Sequence, residues 1–108
     1  MRFLFIGRFK DVFYTLPQEK RAELAAGGFA FSEKYVKSGK CKEINYFTNF
    51  TGHVSIWDLE SSEESARISL ENPMRQYTEF EEHPVLDDVT ASKVYREVMA
   101  ATQQVARK

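Results

Sequence analysis

The sequence has little of what would place it at once in several large classes of protein. Its single cysteine, Cys41, cannot form an internal disulfide, which predicts a soluble protein of the cytoplasm. Its 15 basic and 16 acidic residues leave a formal charge of −1, without the basic excess that nucleic-acid binding normally needs. The longest apolar run, residues 3–6, is far shorter than the ~20 residues of a membrane-spanning helix.

Metal-binding spacing is also missing. The two histidines and the cysteine lie far apart in the chain, so we expect no dedicated metal site. Apolar residues, in contrast, are plentiful: they make up 43% of the 108 residues, enough for the core of one domain. We therefore expect a single domain over residues 1–108, with a core of about residues 1–86 and a C-terminal helix over about residues 90–106.

Four segments have the composition of β-strands. They are rich in aromatic and β-branched residues, and most of them alternate between apolar and polar positions. A polar turn between the second and third segments predicts that these two form a hairpin. The predicted strands cover residues 2–9, 42–48, 53–59 and 75–83.

Three segments carry helix signals. Pro17 opens the first of them, and Gly39 follows its last apolar residue. Ser61 and Glu64 form a capping-box pattern at the start of the second. Thr90 is predicted to cap the third. The apolar face of this last helix comprises Val94, Val98, Ala101 and Val105.

The element order βαββαβ, followed by a terminal helix, predicts a ferredoxin-like α+β fold. In this fold two helices cover one face of an antiparallel four-stranded sheet and leave the other face free. We expect the aliphatic positions of the strands, such as Leu4 and Ile6, to pack under the helices. The opposite set, predicted to lie on the helix-free face, is Phe3, Phe5, Phe9, His53, Ser55, Trp57, Tyr77, Glu79, Glu81 and His83.

A free face with so many aromatic residues predicts an interface. Exposed patches of this kind usually mark a partner or a ligand groove, so we expect a homodimer in which two such faces enclose a ligand cavity. The terminal helix would then dock on its own subunit or swap onto the partner, and the sequence favours neither arrangement.

The stretch from Gly39 to Pro84 carries a series of short motifs in a fixed order. They are Gly39, Trp57-Asp58, the segment Ser61 to Glu64, Pro73, Tyr77-Thr78-Glu79-Phe80-Glu81 and Pro84. In this order the stretch resembles the muconolactone delta-isomerase family. The resemblance implies a dimeric α+β barrel and a cofactor-free enzyme of aromatic-compound breakdown. The implied reaction shifts a proton on an unsaturated lactone or another aromatic-derived carbonyl compound.

Three departures from the family leave other functions open. Where the family's first helix has an acidic residue and a lysine, this chain has Gly27-Gly28-Phe29. Asn45 and Tyr46 replace a basic residue and a tryptophan of the second strand. The family also ends in a short tail rather than a helix. The alternatives are a non-catalytic small-molecule-binding or interaction protein on the same fold, and a cofactor-free monooxygenase of the same superfamily.

Three residues are candidates for catalysis. His53 is the first, because imidazole titrates near neutrality, although a half-solvated hairpin histidine is the simpler interpretation. Glu79 would act as a base if a pocket raised its pKa, and a solvated edge-strand acid is equally consistent with the sequence. Tyr77 would polarise a substrate carbonyl, a role that Asn45 also fits. The predicted ligand-binding residues are Phe3, Phe5, Asn45, Ser55 and Trp57.

Overall fold

The computed structural model describes the backbone of residues 1–106 and the side chains of residues 1–103. The four strands form one antiparallel sheet in the order β2-β3-β1-β4, which is the predicted ferredoxin-like α+β arrangement. The elements are β1 (Arg2–Phe9), α1 (Asp11–Tyr14), α2 (Gln18–Ser38), β2 (Cys41–Tyr46), β3 (Gly52–Asp58), α3 (Ser62–Glu71), a short 3₁₀ helix (Arg75–Tyr77), β4 (Thr78–Val85) and α4 (Asp88–Ala106).

Local signals account for most of these boundaries. Gly39 ends α2 in the left-handed conformation, with φ of 82°, which glycine adopts without a steric penalty. The side chain of Ser61 caps α3 by accepting a hydrogen bond of 3.2 Å from the backbone N–H of Glu64. β4 was expected to end before Pro84 but continues to Val85. An edge strand tolerates proline because one of its sides needs no hydrogen-bond partner.

The start of α4 differs from the prediction. Asp87, rather than Thr90, caps this helix: its Oδ1 accepts a hydrogen bond of 2.8 Å from the backbone N–H of Thr90. Thr90 therefore occupies the first turn, and its hydroxyl donates a second hydrogen bond to the Asp87 carboxylate. Aspartate is the stronger capping residue of the two, which explains the earlier start.

The helices α2 and α3 cover the aromatic face of the sheet. The Trp57 ring packs against two rings of α2, at centroid distances of 5.5 Å to Tyr35 and 6.5 Å to Phe31. Leu4 and Ile6 pair with Ile56 and Val54 on the opposite face, which has no helix. The prediction that Trp57 and His53 point away from the helices is therefore wrong.

The physical reason lies in the sizes of the side chains in the two layers. An aromatic side chain buries about 150–250 Å², so the face with more rings gains more from coverage than the aliphatic face. Small residues of α2, among them Ala25, Gly28 and Ser32, lie opposite these rings and leave room for them. The buried core joins both layers and comprises Phe3, Tyr35, Cys41, Trp57, Leu59 and Ile68.

Polar contacts connect α3 to α2 and to the start of β2. The Tyr35 hydroxyl of α2 donates a hydrogen bond to the Glu71 carboxylate at the end of α3. Burial and this carboxylate together raise the pKa of Tyr35 to about 12. Lys40, just before β2, forms an ion pair with Glu64 in the first turn of α3.

The terminal helix α4 extends away from the sheet and does not dock on its own subunit. The chain is 68 Å long in its largest dimension, and its radius of gyration is 18.6 Å. A compact chain of this length has a radius of gyration of about 13 Å. Val94 and Val98 of the predicted apolar face are exposed, at 44% and 52%. The side chain of Val105 lies outside the described residues.

Candidate functional site

A cavity of about 210 Å³ lies between the sheet and α2. It is larger than the ~150 Å³ apolar cavity that holds benzene in a well-studied case, so a ligand of one or two rings fits its size. Aromatic rings form most of its wall. They belong to Phe5, Phe9, Phe13, Phe29, Phe31, Tyr46, Phe50, Trp57 and Phe80.

Close packing between α2 and the loop after α3 shapes one end of the cavity. A Cβ atom at Gly28 would lie 3.2 Å from Cγ of Met74, and a Cβ at Gly27 would lie 3.3 Å from Cγ of Pro73. Both glycines thus let α2 approach this loop closely, although glycine costs about 1 kcal/mol relative to alanine within a helix. Gly28 and Met74 also line the cavity.

His53 of β3 is the titratable side chain of greatest interest in the cavity wall. Aromatic rings surround its imidazole, at centroid distances of 5.8 Å to Tyr46, 5.9 Å to Phe80 and 6.4 Å to Phe9. Its Nδ1 atom is buried and has no hydrogen-bond partner among the described residues. Burial lowers the pKa of His53 below its ordinary value, since an apolar environment disfavours the charged ring. The imidazole is therefore neutral near pH 7.

Four other polar side chains of the wall form two hydrogen-bonded pairs. The Tyr46 hydroxyl donates a hydrogen bond of 3.3 Å to Oγ of Ser32, which in turn donates one of 3.1 Å to the backbone carbonyl of Gly28. On the sheet side, Nε1 of Trp57 donates a hydrogen bond of 2.8 Å to Oγ of Ser55. The Tyr46–Ser32 pair places hydroxyl groups across the gap between β2 and α2.

Charged side chains are absent from the lining. Among the side chains of residues 1–103, no Asp, Glu, Lys or Arg lines this cavity. An ionic ligand would lose its hydration there without gaining a partner of opposite charge, at a cost of several kcal/mol. The cavity thus suits an uncharged ligand with an extended apolar surface and one or two polar atoms.

The structure brings together about half of the predicted site residues. Those that line the cavity are Phe5, His53, Ser55 and Trp57. Phe3 lies on the same face of the sheet but is buried in the core, with 4% of its surface exposed. Tyr77, in the 3₁₀ helix, packs against Phe13 at a centroid distance of 6.2 Å and does not line the cavity.

Two predicted site residues lie outside the cavity, on the helix-free face, which is the face predicted for Glu79. Glu79 pairs with Arg8, and Asn45 pairs with Val54, at positions that point away from the helices. The cavity predicted between two helix-free faces is accordingly misplaced, since the one found lies under α2. Period-two alternation correctly grouped His53, Ser55 and Trp57, but it does not say which group the helices cover.

Sequence reasoning missed several residues of the wall. Ser32 lies four residues after Gly28 on α2, a spacing that puts both on one helix face and offered the clearest signal. Tyr46 was noted only as a departure from the related family. Phe50, which lines the cavity mouth from the β2–β3 turn, carried no signal because turns have no regular periodicity.

Comparison with known proteins leaves the family open. No protein-family profile matches this chain, and no curated protein sequence matches it either. The resemblance to the muconolactone delta-isomerase family therefore stays a prediction.

Two further observations concern membranes and metals. Within the described part of the chain, no helix has both the length and the apolar character needed to span a bilayer. Over the same residues, no three His, Cys, Asp or Glu side chains are placed to share a metal ion.

Proposed function

We propose that this chain is a cofactor-free enzyme that moves a proton on a neutral, planar carbonyl compound derived from an aromatic ring. The observation that carries the proposal is His53, a buried neutral imidazole in the wall of an aromatic cavity. An unpartnered buried nitrogen such as its Nδ1 costs about 1–3 kcal/mol, so a bound ligand would compensate for a deficit of the free protein.

The proposed reaction begins when His53 removes a proton from the carbon next to the substrate carbonyl. The electron pair of the broken C–H bond forms a C=C bond, and the carbonyl becomes an enolate. The Tyr46 hydroxyl, which donates to Ser32 in the free protein, turns to donate this hydrogen bond to the enolate oxygen and so stabilises it. The substrate carries a second C=C bond conjugated with the enolate. The imidazolium returns the proton to the far carbon of that bond, the double bond shifts by one position, and the carbonyl re-forms. The substrate thus isomerises without gain or loss of atoms, and no cofactor is required.

The uncharged lining favours a neutral substrate. Muconolactone carries a carboxylate, for which the cavity wall offers no Lys or Arg partner among the described side chains. A ketone or lactone without an ionised group avoids this desolvation cost. Among the aromatic-derived carbonyl compounds that the resemblance implies, the neutral ones are therefore preferred. Glu79 and Asn45 have no part in this mechanism, since both lie on the other face.

Deuterium exchange tests the proton-transfer step directly. 2-Tetralone, a neutral two-ring ketone with acidic hydrogens beside its carbonyl, is incubated with the protein in D₂O and followed by proton NMR. We expect saturable acceleration of exchange by the wild-type chain and a loss of 10²-fold or more in His53→Gln, the typical contribution of a general base. Equal exchange by His53→Gln and wild type would overturn the proposed role of His53.

Glu79→Gln is the matched control, because it also removes a sequence-predicted base but lies outside the cavity. It is expected to exchange deuterium at the wild-type rate. Binding of 2-tetralone is measured in parallel by quenching of the fluorescence of Trp57, the only tryptophan of the chain and part of the cavity wall. If His53→Gln loses deuterium exchange but still binds 2-tetralone, the loss is due to the missing base and not to a collapsed cavity.

A non-catalytic ligand-binding protein is the second candidate. It is favoured by the lack, among the described side chains, of a carboxyl or ammonium group in the cavity that would act with His53 as its acid partner. Saturable binding of 2-tetralone without any acceleration of exchange would support this candidate over the enzyme.

The proposal also includes a homodimer in the cytoplasm. The helix-free face has a half-buried aliphatic centre with charged residues around it, and an apolar surface that no helix covers favours a partner. The single cysteine is buried and free, as is usual for proteins of a reducing compartment. The aliphatic centre comprises Leu4, Ile6, Val54 and Ile56.

A further inference from the structure

The helix α4 has an apolar surface that nothing on its own chain covers. Tyr95 is 67% exposed and Met99 38%, in addition to Val94 and Val98, which lie on the same side of the helix. At 100° per residue these side chains, with Ala91 and Ala101, span an arc of roughly 160°. A coiled-coil seam is narrower and needs at least three heptads, whereas α4 has 19 residues. The broad arc is typical of a helix that packs on the body of a protein.

The helix-free sheet face is the second uncovered surface. A shallow groove on this face is lined by the aliphatic residues Leu4, Ile56, Val85 and Leu86 and by the charged residues Arg2, Lys42 and Glu43. Leu86 directly precedes the Asp87 cap of α4, so the helix starts at the rim of the groove. The start of α4 and the groove thus lie side by side at one end of the sheet.

We infer that α4 of each chain packs across the helix-free sheet face of a second copy, in a reciprocal exchange. A two-fold axis near Leu86 brings the α4 of either copy over the face of the other, because the helix and the groove meet at that rim. This inference rests on the homodimer included in the proposed function and specifies which surfaces meet in it.

The dimensions of the two surfaces agree. α4 has 19 residues and a length of about 28 Å, while the eight residues of β1 span about 26 Å. Each contact between a helix and a sheet face covers a strip of this length and of the ~10 Å width of a helix. Counted on both surfaces of the two contacts, the buried area is on the order of 1,000 Å². Specific interfaces start at about this area. The contact of a single helix would bury half as much, which favours exchange between two copies.

Cysteine cross-linking of the full chain tests the arrangement. The chain carries Val98→Cys in the arc and Ile56→Cys in the groove; its native Cys41 is buried and does not compete. After mild oxidation, gel electrophoresis without reductant and mass spectrometry identify the linkages. We expect a covalent dimer joined between positions 98 and 56. Light scattering of the wild-type chain should give twice the 12.5 kDa of one chain.

Each other outcome overturns the inference in a distinct way. A 98–56 linkage within a monomer places α4 on its own subunit, and a 98–98 linkage pairs two α4 helices. A 56–56 linkage means that two sheet faces pack directly. A mass of one chain in light scattering means that no second copy binds. Should the Ile56→Cys chain fail to fold by circular dichroism, Val54→Cys on the same strand and face replaces it.

The control chain carries Arg96→Cys with Ile56→Cys. Arg96 lies on the side of α4 opposite Val98, about 160° around the helix, so we expect no linkage between positions 96 and 56. Deuterium exchange with 2-tetralone is measured on the same proteins. A monomer that still catalyses deuterium exchange refutes the helix-exchanged dimer but not the proposed function. A helix-exchanged dimer that does not catalyse deuterium exchange refutes the proposed function but not the dimer.

Discussion

Gly7 of β1 lies directly against the imidazole of His53 on β3. A Cβ atom at residue 7 would be 2.7 Å from Cε1 and 2.9 Å from Nε2 of the ring. The two residues are paired in the register of the sheet, so the backbone itself sets this closeness. The absence of a side chain at position 7 is what leaves space for the histidine ring in the wall of the cavity.

Gly7→Ala should therefore displace the His53 ring. We expect a loss of about 1–3 kcal/mol in the free energy of unfolding, as for overpacked cores, and at least a tenfold loss in 2-tetralone exchange. Gly39→Ala is the control: it strains a left-handed position but meets no atom within 4 Å, so it costs stability without affecting exchange. Wild-type exchange by Gly7→Ala would contradict the assigned contact.

The pKa of His53 makes stability depend on pH. Its folded-state pKa lies below the ordinary value of 6.5, so the unfolded chain takes up the proton first as pH falls. The free energy of unfolding should thus decrease as pH falls below 6.5 and level off once the folded protein also binds the proton. Urea unfolding of wild type and His53→Phe between pH 7.5 and 5 measures this. A wild-type pH dependence equal to that of the variant would disprove it.

Phe50 occupies a backbone conformation that favours glycine. Its φ is 58°, in the left-handed region, although hydrogen bonds of the turn hold it there. Phe50→Gly should be more stable than Phe50→Ala by about 1 kcal/mol, the reverse of their usual order in helices and strands. Thermal or urea unfolding of both variants measures the difference. Both variants lack the phenyl ring, so the stability that the ring contributes drops out of the difference between them. An alanine variant more stable than the glycine variant would argue against backbone strain at this position.

The Tyr35–Glu71 contact should be visible in the ionisation of the phenol. Absorbance at alkaline pH is expected to show a tyrosine with a pKa of about 12, and Tyr35→Phe should remove it. In Glu71→Gln this pKa falls towards 10.0 but stays above it, because burial is the larger cause of the shift. Glu63→Gln, on the exposed side of α3, is the control and leaves the pKa unchanged.

Cys41 should be inert in the folded protein. It is the most deeply buried of the hydrophobic core residues, with 2% of its surface exposed, and burial raises the pKa of its thiol. A thiol reagent at pH 8 is expected to label no site until denaturant is added, and then one site per chain. Rapid labelling of the native protein would show that the core around β2 opens readily.

Local chemistry made several elements predictable from the sequence. The left-handed glycine at position 39 and the Ser61 cap of α3 act through a few neighbouring residues, so the order of amino acids alone specified them. The same applies to the grouping of His53, Ser55 and Trp57, because alternate residues of a strand always share a face.

Tertiary structure decided which face became the core and where the cavity lies. Periodicity divides a strand into two sets, but their burial depends on what the helices bring to them. Here the small residues of α2 admit the rings of Phe5 and Trp57 and leave a gap beside His53. Glu79 lies on the helix-free face, as predicted, but for this reason it and Asn45 are not part of the cavity.

The tertiary structure also decided the direction of α4. The apolar residues of α4 predicted that one face of the helix packs on another surface, and the sequence alone determined this. Whether the helix turns back depends on the geometry of the short connection after Val85 and on which surfaces remain uncovered once the sheet has formed. Contacts between residues distant in the chain are a property of the assembled layers, and no local pattern of amino acids contains them.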